Sequence, residues 1–446
     1  MLQTPHQCLC FSNFPMSITY TPPYALRALR HANFRRYFIG MAISQCGSWM
    51  QSVAIMWLAY RLSGSTGVTG TVGFLAMIPH LFVTPIAGAL SDRVSRRKLL
   101  IIVQTILFFH AATLATLTWL GHVTVPMLAA FAFAQGVLSA MEITTRHSFF
   151  AQLIDDKADL PNAIALNSVN INATRMLGPA LGGLLIAAVS EAACFGVNAV
   201  SYLAVVFQLR RISPRETPRT ASGHSLLNDL AEGWKIALTS PVILPLVLIA
   251  GLVSLCINSY SILMPAIAVE VFGKGAELHG LFVSAVGVGA LTGAVMLAGR
   301  ASVRGLTQWI LVTASMAAIG AVGFALLAPL KMVPLSMLAM ALVGFGVMGT
   351  SAGVNTIIQT VVDDDKRGRV VSVYSTFFTG AVPLGHLSAG WLAQQIGAPR
   401  AYLLCGIVCA LGTLAFWLNL RHLRLPLRDA YIKRGIMSAH EIPPDK

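Results

Sequence analysis

Three charged side chains stand inside stretches otherwise almost free of charge, and they mark where chemistry could occur. Glu142 and Arg146 are four residues apart, acid first, the spacing that places an ion pair on one helix face. Arg175 lies about eleven residues into a later apolar run, roughly 16 Å along a helix rising 1.5 Å per residue. A guanidinium at that depth costs at least ~2.5 kcal/mol against lipid, so it must face protein or water. Asn167, Asn170 and Asn172 precede it. The pattern predicts a polar network of Glu142, Arg146, Asn167, Asn172 and Arg175 between two helices. Such a network either lines a path and passes protons, or acts as structural glue. His80, His110 and His386 also fall in apolar runs. Each could titrate near neutral pH, although a structural place is the plainer reading of any one.

Other chemistries lack their residues. There is no G-x-x-x-x-G-K-[ST] loop for ATP and no nucleophile or His/Asp metal constellation for an enzyme. The seven cysteines, Cys8, Cys10, Cys46, Cys194, Cys256, Cys405 and Cys409, include no CxxC pair and no His at zinc-ligand spacing. They read as small packing residues, and neither a cofactor nor a metal is expected.

The elements that must position these groups follow from composition. Hydrophobic residues are 56% of the chain and charged residues only 11%, against about a quarter charged in soluble proteins. So few charges cannot cover 446 residues in water, so the outer surface faces lipid. Apolar runs occur at about 38–59, 68–90, 99–119, 124–144, 164–188, 192–210, 242–266, 278–299, 306–328, 333–356, 369–393 and 400–420, each near the ~20 residues a span requires. With the N-terminus inside the cell, 26 Lys and Arg fall on the inner side and 4 on the outer. That asymmetry places both termini in the cytoplasm and requires an even number of spans. The net charge of +14 is therefore a topology signal, not a nucleic-acid interface.

Residues 1–25 have no basic region before an apolar core, so they read as a disordered extension, not a signal peptide. Met16 offers an alternative start. Residues 26–210 form one six-span unit and 242–420 another. Between them, 211–241 opens as a loop, and Leu226, Leu227, Leu230, Trp234 and Leu238 then mark an amphipathic helix. Residues 421–446 form a basic tail. The two units align at a constant offset of 207 residues. Gln152 meets Gln359, Asp156 meets Asp363, Ser168 meets Ser375, Leu177 meets Leu384, Gly178 meets Gly385 and Gly183 meets Gly390. In this register His386 replaces Pro179.

Three motifs carry a family resemblance. The loop after the second span, GALSDRVSRRK from Gly88 to Lys98, resembles the cytoplasmic G-x-x-x-D-R-x-x-R-R signature of the major facilitator superfamily, with Ser95 where glycine is common. The fifth span carries G-P-x-x-G-G from Gly178 through Pro179 to Gly182 and Gly183, which resembles the motif of antiporters and exporters. Ala165 and Thr174 stand at the glycine positions upstream. RHANFRRYFIG near the start, AMEITTRHSFF in the fourth span and DDDKRGRVVSVYSTFF before the eleventh resemble the bacterial enterobactin-exporter-like branch over nearly the whole chain. Ala132 stands where some other exporters carry an arginine ahead of Gln135 and Gly136.

The resemblance implies an all-α integral membrane protein with twelve transmembrane helices in two pseudo-symmetric six-helix bundles, in a bacterial inner membrane. It implies a monomeric secondary transporter that exports a small amphipathic molecule, siderophore-like or drug-like, by alternating access and proton antiport. A nutrient permease or uniporter of the same fold is the alternative, and a non-transporting sensor a distant one. Gly88, Asp92, Arg93, Arg96 and Arg97 would form a cytoplasmic gate against the start of the eleventh span. Gly178, Pro179, Gly182 and Gly183 would bend and pack the fifth. Gln45, Trp49, Gln51, Asn258, Tyr260, Tyr374 and His386 are the candidates for the substrate path.

Overall fold

The computed structural model describes residues 24–154, 156–212, 226–300 and 302–437. The side chains of Tyr24, Ala25, Asp92, Ala151, Lys157 and residues 226–230 lie outside that description. The readings made of residues 1–23, of the loop 213–225, of the last nine residues, of Asp92 and of Leu226, Leu227 and Leu230 fall there.

The described chain is helical, without strands. Lipid offers the backbone no hydrogen-bond partner, so each spanning segment must satisfy its own amides and carbonyls. The helices are α1 (Ala32–Ser63), α2 (Thr66–Arg93), α3 (Arg96–Trp119), α4 (Val125–Phe150), α5 (Leu160–Ala188), α6 (Glu191–Arg211), the short α7 (Leu226–Thr239), α8 (Ile243–Val271), α9 (Ala276–Ala298), α10 (Leu306–Leu327), α11 (Val333–Val361), α12 (Asp364–Ile396) and α13 (Ala398–Lys433). Prolines at the first turns of α5, α11 and α13 start helices where no amide donor is needed. Gly64, at φ 59°, ends α1 by donating its amide to the Tyr60 carbonyl.

Eleven of these helices are long and apolar enough to cross a membrane. The twelfth long helix, α1, has 32 residues. Its apolar run is diluted by Gln45, Ser48 and Gln51, the side chains it turns to an internal cavity. Helices α1–α6 form one bundle and α8–α13 the other, with α7 between. Large apolar side chains such as Phe82, Ile86, Phe109, Ile319 and Leu411 lie exposed around both bundles, which only a hydrocarbon surround accommodates.

The last helix runs beyond the expected end at 420 to Lys433 because its apolar face continues. Leu420, Leu423, Leu427 and Tyr431 stay buried at helical spacing. Helix α8 is not uniform. It breaks at Asn258–Ser259, resumes at Tyr260, and winds more widely over Ile267–Val271.

The bundles meet at two crossings. In α5 against α9, a Cβ on Gly183 would lie 3.0 Å from the Gly280 Cα, and one on Gly280 would lie 2.3 Å from the Pro179 carbonyl oxygen. In α2 against α12, a Cβ on Gly390 would lie 2.7 Å from the Gly70 Cα. Only glycine permits such backbone approach. Both crossings lie toward the end of the molecule opposite the Arg-rich loops. There Ser65 and Gln394 are 3.2 Å apart, the Tyr60 hydroxyl meets the Glu270 carboxylate, and Trp57 of α1 stacks on His279 of α9 at 6.2 Å. Toward the Arg-rich end the bundles part, and a hollow of about 390 Å³ opens between Ser168 of α5 and Ala294, Arg300 and Met348 of the second bundle.

Candidate functional site

A cavity of about 330 Å³ lies inside the first bundle, walled by α1–α6. Its polar lining includes Gln45, Gln51, His80, Gln135, Glu142 and Arg146. On one wall the amides and a phenol bond each other. Asn198 donates to Gln51 (2.7 Å) and to the Tyr202 hydroxyl (3.1 Å), Gln51 donates to Gln135 (3.1 Å), and Gln135 reaches Tyr202 (3.4 Å). Other lining groups are left unsatisfied. Glu142 and Arg146 approach to 3.5 Å, a loose pair, and Glu142 Oε1 and Arg146 Nε have no hydrogen-bond partner. Gln45 Nε2, His80 Nδ1 and Gln104 Oε1 are also buried and unpartnered. Buried polar atoms left this way are costly, so the lining is suited to water, a proton or a polar ligand. A larger hollow, about 690 Å³ around Trp57, Arg61, Glu191 and Glu277, opens at the far end. There Arg61 and Glu191 satisfy each other at 2.7 Å, so the smaller cavity has the stronger demand for a ligand.

Arg175 bonds to neither Glu142 nor Arg146 among the described contacts. Its guanidinium lies 5.3 Å from the Trp49 ring centre on α1, and its Nε is buried without an acceptor. Its backbone borders the second bundle, since a Cβ on Gly287 of α9 would lie 2.7 Å from the Arg175 carbonyl oxygen. Asn172 donates to the Ser168 carbonyl of its own helix, Asn170 is buried with its amide nitrogen unpartnered, and Asn167 is half-buried. The charged groups read together in the sequence thus form two centres, Glu142–Arg146 in the cavity and Arg175–Trp49 at its border.

Helix α5 continues through Pro179, and its glycines serve two faces. A Cβ on Gly178 would meet Trp49 at 2.5 Å, and one on Gly182 would meet the Met50 Cα at 2.9 Å, so these two seat α1. Pro179 and Gly183 seat α9. Gly88 is under no such demand, since a Cβ there would meet only Thr144 at an ordinary 3.9 Å.

In the basic loop, Arg96 donates to the Ser148 carbonyl (3.1 Å), and Arg97 donates to those of Leu209 and Arg210 (both 2.7 Å). These are the carbonyl ends of α4 and α6, where a cation is favoured. Arg93 is exposed. The start of α12 is held from other directions. Arg434 meets Asp363 (2.7 Å) and Arg369 meets Glu232 of α7 (2.6 Å).

Of the remaining candidates, Asn258 sits at the break of α8 and donates to Ser254 (3.1 Å). Tyr374 is buried within the second bundle, its hydroxyl 2.7 Å from Ser351 Oγ. His386 is buried where α12 meets α2 and α8. Sequence reasoning missed Gln135, Asn198, Tyr202 and His279. Each is a polar group in an apolar run, the signal that picked out Gln51.

Outside the spans, Asp159 caps the entry to α5. It takes His31 at 2.8 Å, Arg30 at 2.9 Å and Arg27 at 3.1 Å, tying the short helix Tyr24–Arg30 to the start of α5. The hydrogen bond from His31, and then the arginines, hold its carboxyl below the ordinary carboxylate range.

This architecture, two six-helix bundles crossing at paired glycines around polar cavities, is that of the major facilitator transporters. The chain belongs to the transmembrane secretion effector family of that superfamily, which matches residues 23–440. It is similar to the Staphyloferrin A transporter of Staphylococcus aureus, 24% identical over 86% of this chain and 95% of that one. It is also similar to the multidrug efflux pump Tap of Mycolicibacterium fortuitum, 27% identical over 85% and 94%. Among solved structures, a bacterial homologue of the iron transporter ferroportin in its inward-facing state shares the fold. It has a TM-score of 0.64 at 19% identity, over 86% of this chain and 98% of that one. The chain is a multi-pass membrane transporter and not an enzyme.

Proposed function

We propose that this transporter exports a small amphipathic organic molecule from the cytoplasm, exchanging it for protons by alternating access. The observation that carries the reading is the half-satisfied cavity wall at Glu142–Arg146. A buried carboxylate loosely held by one arginine can take a proton, and a cargo that displaces the arginine or the proton competes with it. The names of the efflux-type relatives support the outward direction. The Arg-rich end corresponds to the cytoplasm by the positive-inside rule, which makes the closed glycine crossings an outer gate and this conformation inward-facing. Residues 26–210 and 242–420 are then the two moving halves, and Arg96 and Arg97, engaged here within the first half, are free to meet α12 only when the inner end closes. The protein would work as a monomer in a bacterial inner membrane with both termini inside.

The test uses ethidium as an amphipathic probe in cells expressing the chain. Efflux that stops when a protonophore is added supports the reading. Efflux that continues unchanged contradicts proton coupling, and retention equal to cells without the protein contradicts export.

A further inference from the structure

The hollow of about 390 Å³ at the Arg-rich end is graded along its depth. On α11, Met348, Ala352 and Thr356 line it at four-residue spacing, one helix face about 12 Å long. That face begins apolar and ends, toward the Arg-rich loops, at a hydroxyl. On α9, Ala294 and Leu297 give way past the helix end to Arg300 and Ser302. The hollow is thus apolar inside and polar at its mouth. Lipid-facing side chains flank it, since Val169 of α5 and Val295 and Met296 of α9 are large, apolar and more than half exposed.

The mouth carries one fixed cation. The Arg300 guanidinium lies 5.5 Å from the Trp309 ring centre, and its Nη2 donates to the Arg304 carbonyl at 3.1 Å. A guanidinium has five N–H donors, and the described contacts use one. No carboxylate pairs with Arg300 among the described residues. Held over a ring and against a carbonyl, the side chain has little freedom left to lose when an anion arrives.

We propose that this hollow binds an anionic phospholipid of the leaflet bathing the Arg-rich end, with the phosphate at Arg300 and one acyl chain along Leu297, Ala294 and Met348. A cation between spans at interface depth is complementary to a phosphate headgroup. The hydroxyls of Ser302 and Thr356 supply further donors at the same end. The apolar interior offers nothing to a small hydrated anion. An anion that carries a chain satisfies both ends at once. Ser168 of the first bundle lines the same hollow, so the lipid touches both bundles where they part. The inference rests on the membrane placement of the chain, and not on export or proton coupling.

The experiment reads lipid binding directly. A cysteine at Met296, next to Leu297 of the lining, carries a bimane fluorophore in the otherwise cysteine-free full chain. A second protein carries it at Ile102 of α3, which is also exposed and lies close to a basic helix start. Both are placed in phosphatidylcholine nanodiscs with a minor share of phosphatidylglycerol, the acyl chains of one lipid or the other being brominated. Quenching then gives the relative affinity for phosphatidylglycerol over phosphatidylcholine at each position. It is expected to be about fivefold higher at Met296 than at Ile102, the preference one suitably placed cation gives. Arg300→Gln should bring the two positions level, and Arg300→Lys should keep part of the difference. Arg421→Gln, which removes an exposed cation of α13, should leave it intact. Equal affinities at the two positions in the wild type overturn the proposal. So does a preference at Met296 that survives Arg300→Gln, or one that Arg421→Gln removes equally. No cargo or gradient enters the measurement, so failure of the transport reading is seen separately.

Discussion

At the scale of single residues, the buried charges are the parts of the site most exposed to test. Glu142→Gln preserves shape and removes the charge that Arg146 faces. The expected outcome is a protein that inserts normally but whose ethidium efflux no longer responds to an imposed pH gradient. A gradient-dependent rate equal to wild type would remove Glu142 from the coupling. Arg175→Ala deletes the stack on Trp49, worth ~0.5–2 kcal/mol. Efflux should drop by roughly 2- to 30-fold at unchanged expression, measured as initial rate. The Asp159 clasp is a stability matter. Its carboxyl is held low by His31 and the arginines, so its contribution is full above the unfolded carboxylate value of about 3.9 and is lost as pH falls through the lower folded value. Asp159→Asn should lower the thermal midpoint at neutral pH, and the gap from wild type should close once the pH is taken well below about 4. Glu142, Arg146 and Arg175 were legible in the sequence because a charge in an apolar run has few innocent explanations. Their partners were not. Nothing in the spacing says that Arg175 turns to Trp49 on α1 and away from Glu142 on α4, since that depends on how α5 is rotated between its neighbours. Gln135, Asn198 and Tyr202 escaped notice because neutral polar groups in a span acquire meaning only when the other helices supply their bonds.

At the scale of helices, the spans were readable from hydropathy and their ends were not. Helix α13 runs to Lys433 because an alternation of Leu and Arg is still a helix with one buried face, whereas a search for continuous apolar sequence ends at the first arginines. The G-P-x-x-G-G motif invites the reading of a bend. In the structure α5 runs unbroken through Pro179, and the motif also supplies two contact faces, Gly178 and Gly182 for α1, Pro179 and Gly183 for α9. Sequence shows that small residues recur at four-residue spacing, but the facing helix decides what they are for. Gly280→Ala would put a Cβ 2.3 Å from the Pro179 carbonyl oxygen, and backbone cannot yield as a side chain can. Overpacking of this kind costs ~1–3 kcal/mol, which shifts a two-state equilibrium by about 5- to 150-fold. The outer ends of α5 and α9 should separate, read as a longer spin-label distance across them. An unchanged distance would mean that this crossing does not hold the gate shut.

At the scale of the molecule, the repeat seen in the sequence relates the two glycine crossings between the bundles. Gly183 of α5 and Gly390 of α12, 207 apart, occupy matching places in the two crossings, while the glycines they meet, Gly280 and Gly70, are 210 apart. Arg97 and Arg304, also 207 apart, each donate to a backbone carbonyl at or just past the end of the last helix in their own bundle, Leu209 and Arg210 in one and Ile436 in the other. The pseudo-symmetric fold was therefore legible before any coordinates. The location of the cavity was not. Gln45, Trp49 and Gln51 were named from the sequence, but that they line one cavity with residues of α2 to α6 depends on how all six helices of the first bundle pack. The central claim is that a proton gradient drives cargo outward through this protein. It is tested most directly with purified protein reconstituted inside-out into liposomes with an acidic lumen and ethidium outside. The account predicts that ethidium accumulates in the lumen, that the lumen loses protons as it does so, and that dissipating the gradient ends both. Accumulation that is indifferent to the gradient, or ethidium movement without proton movement, would contradict it.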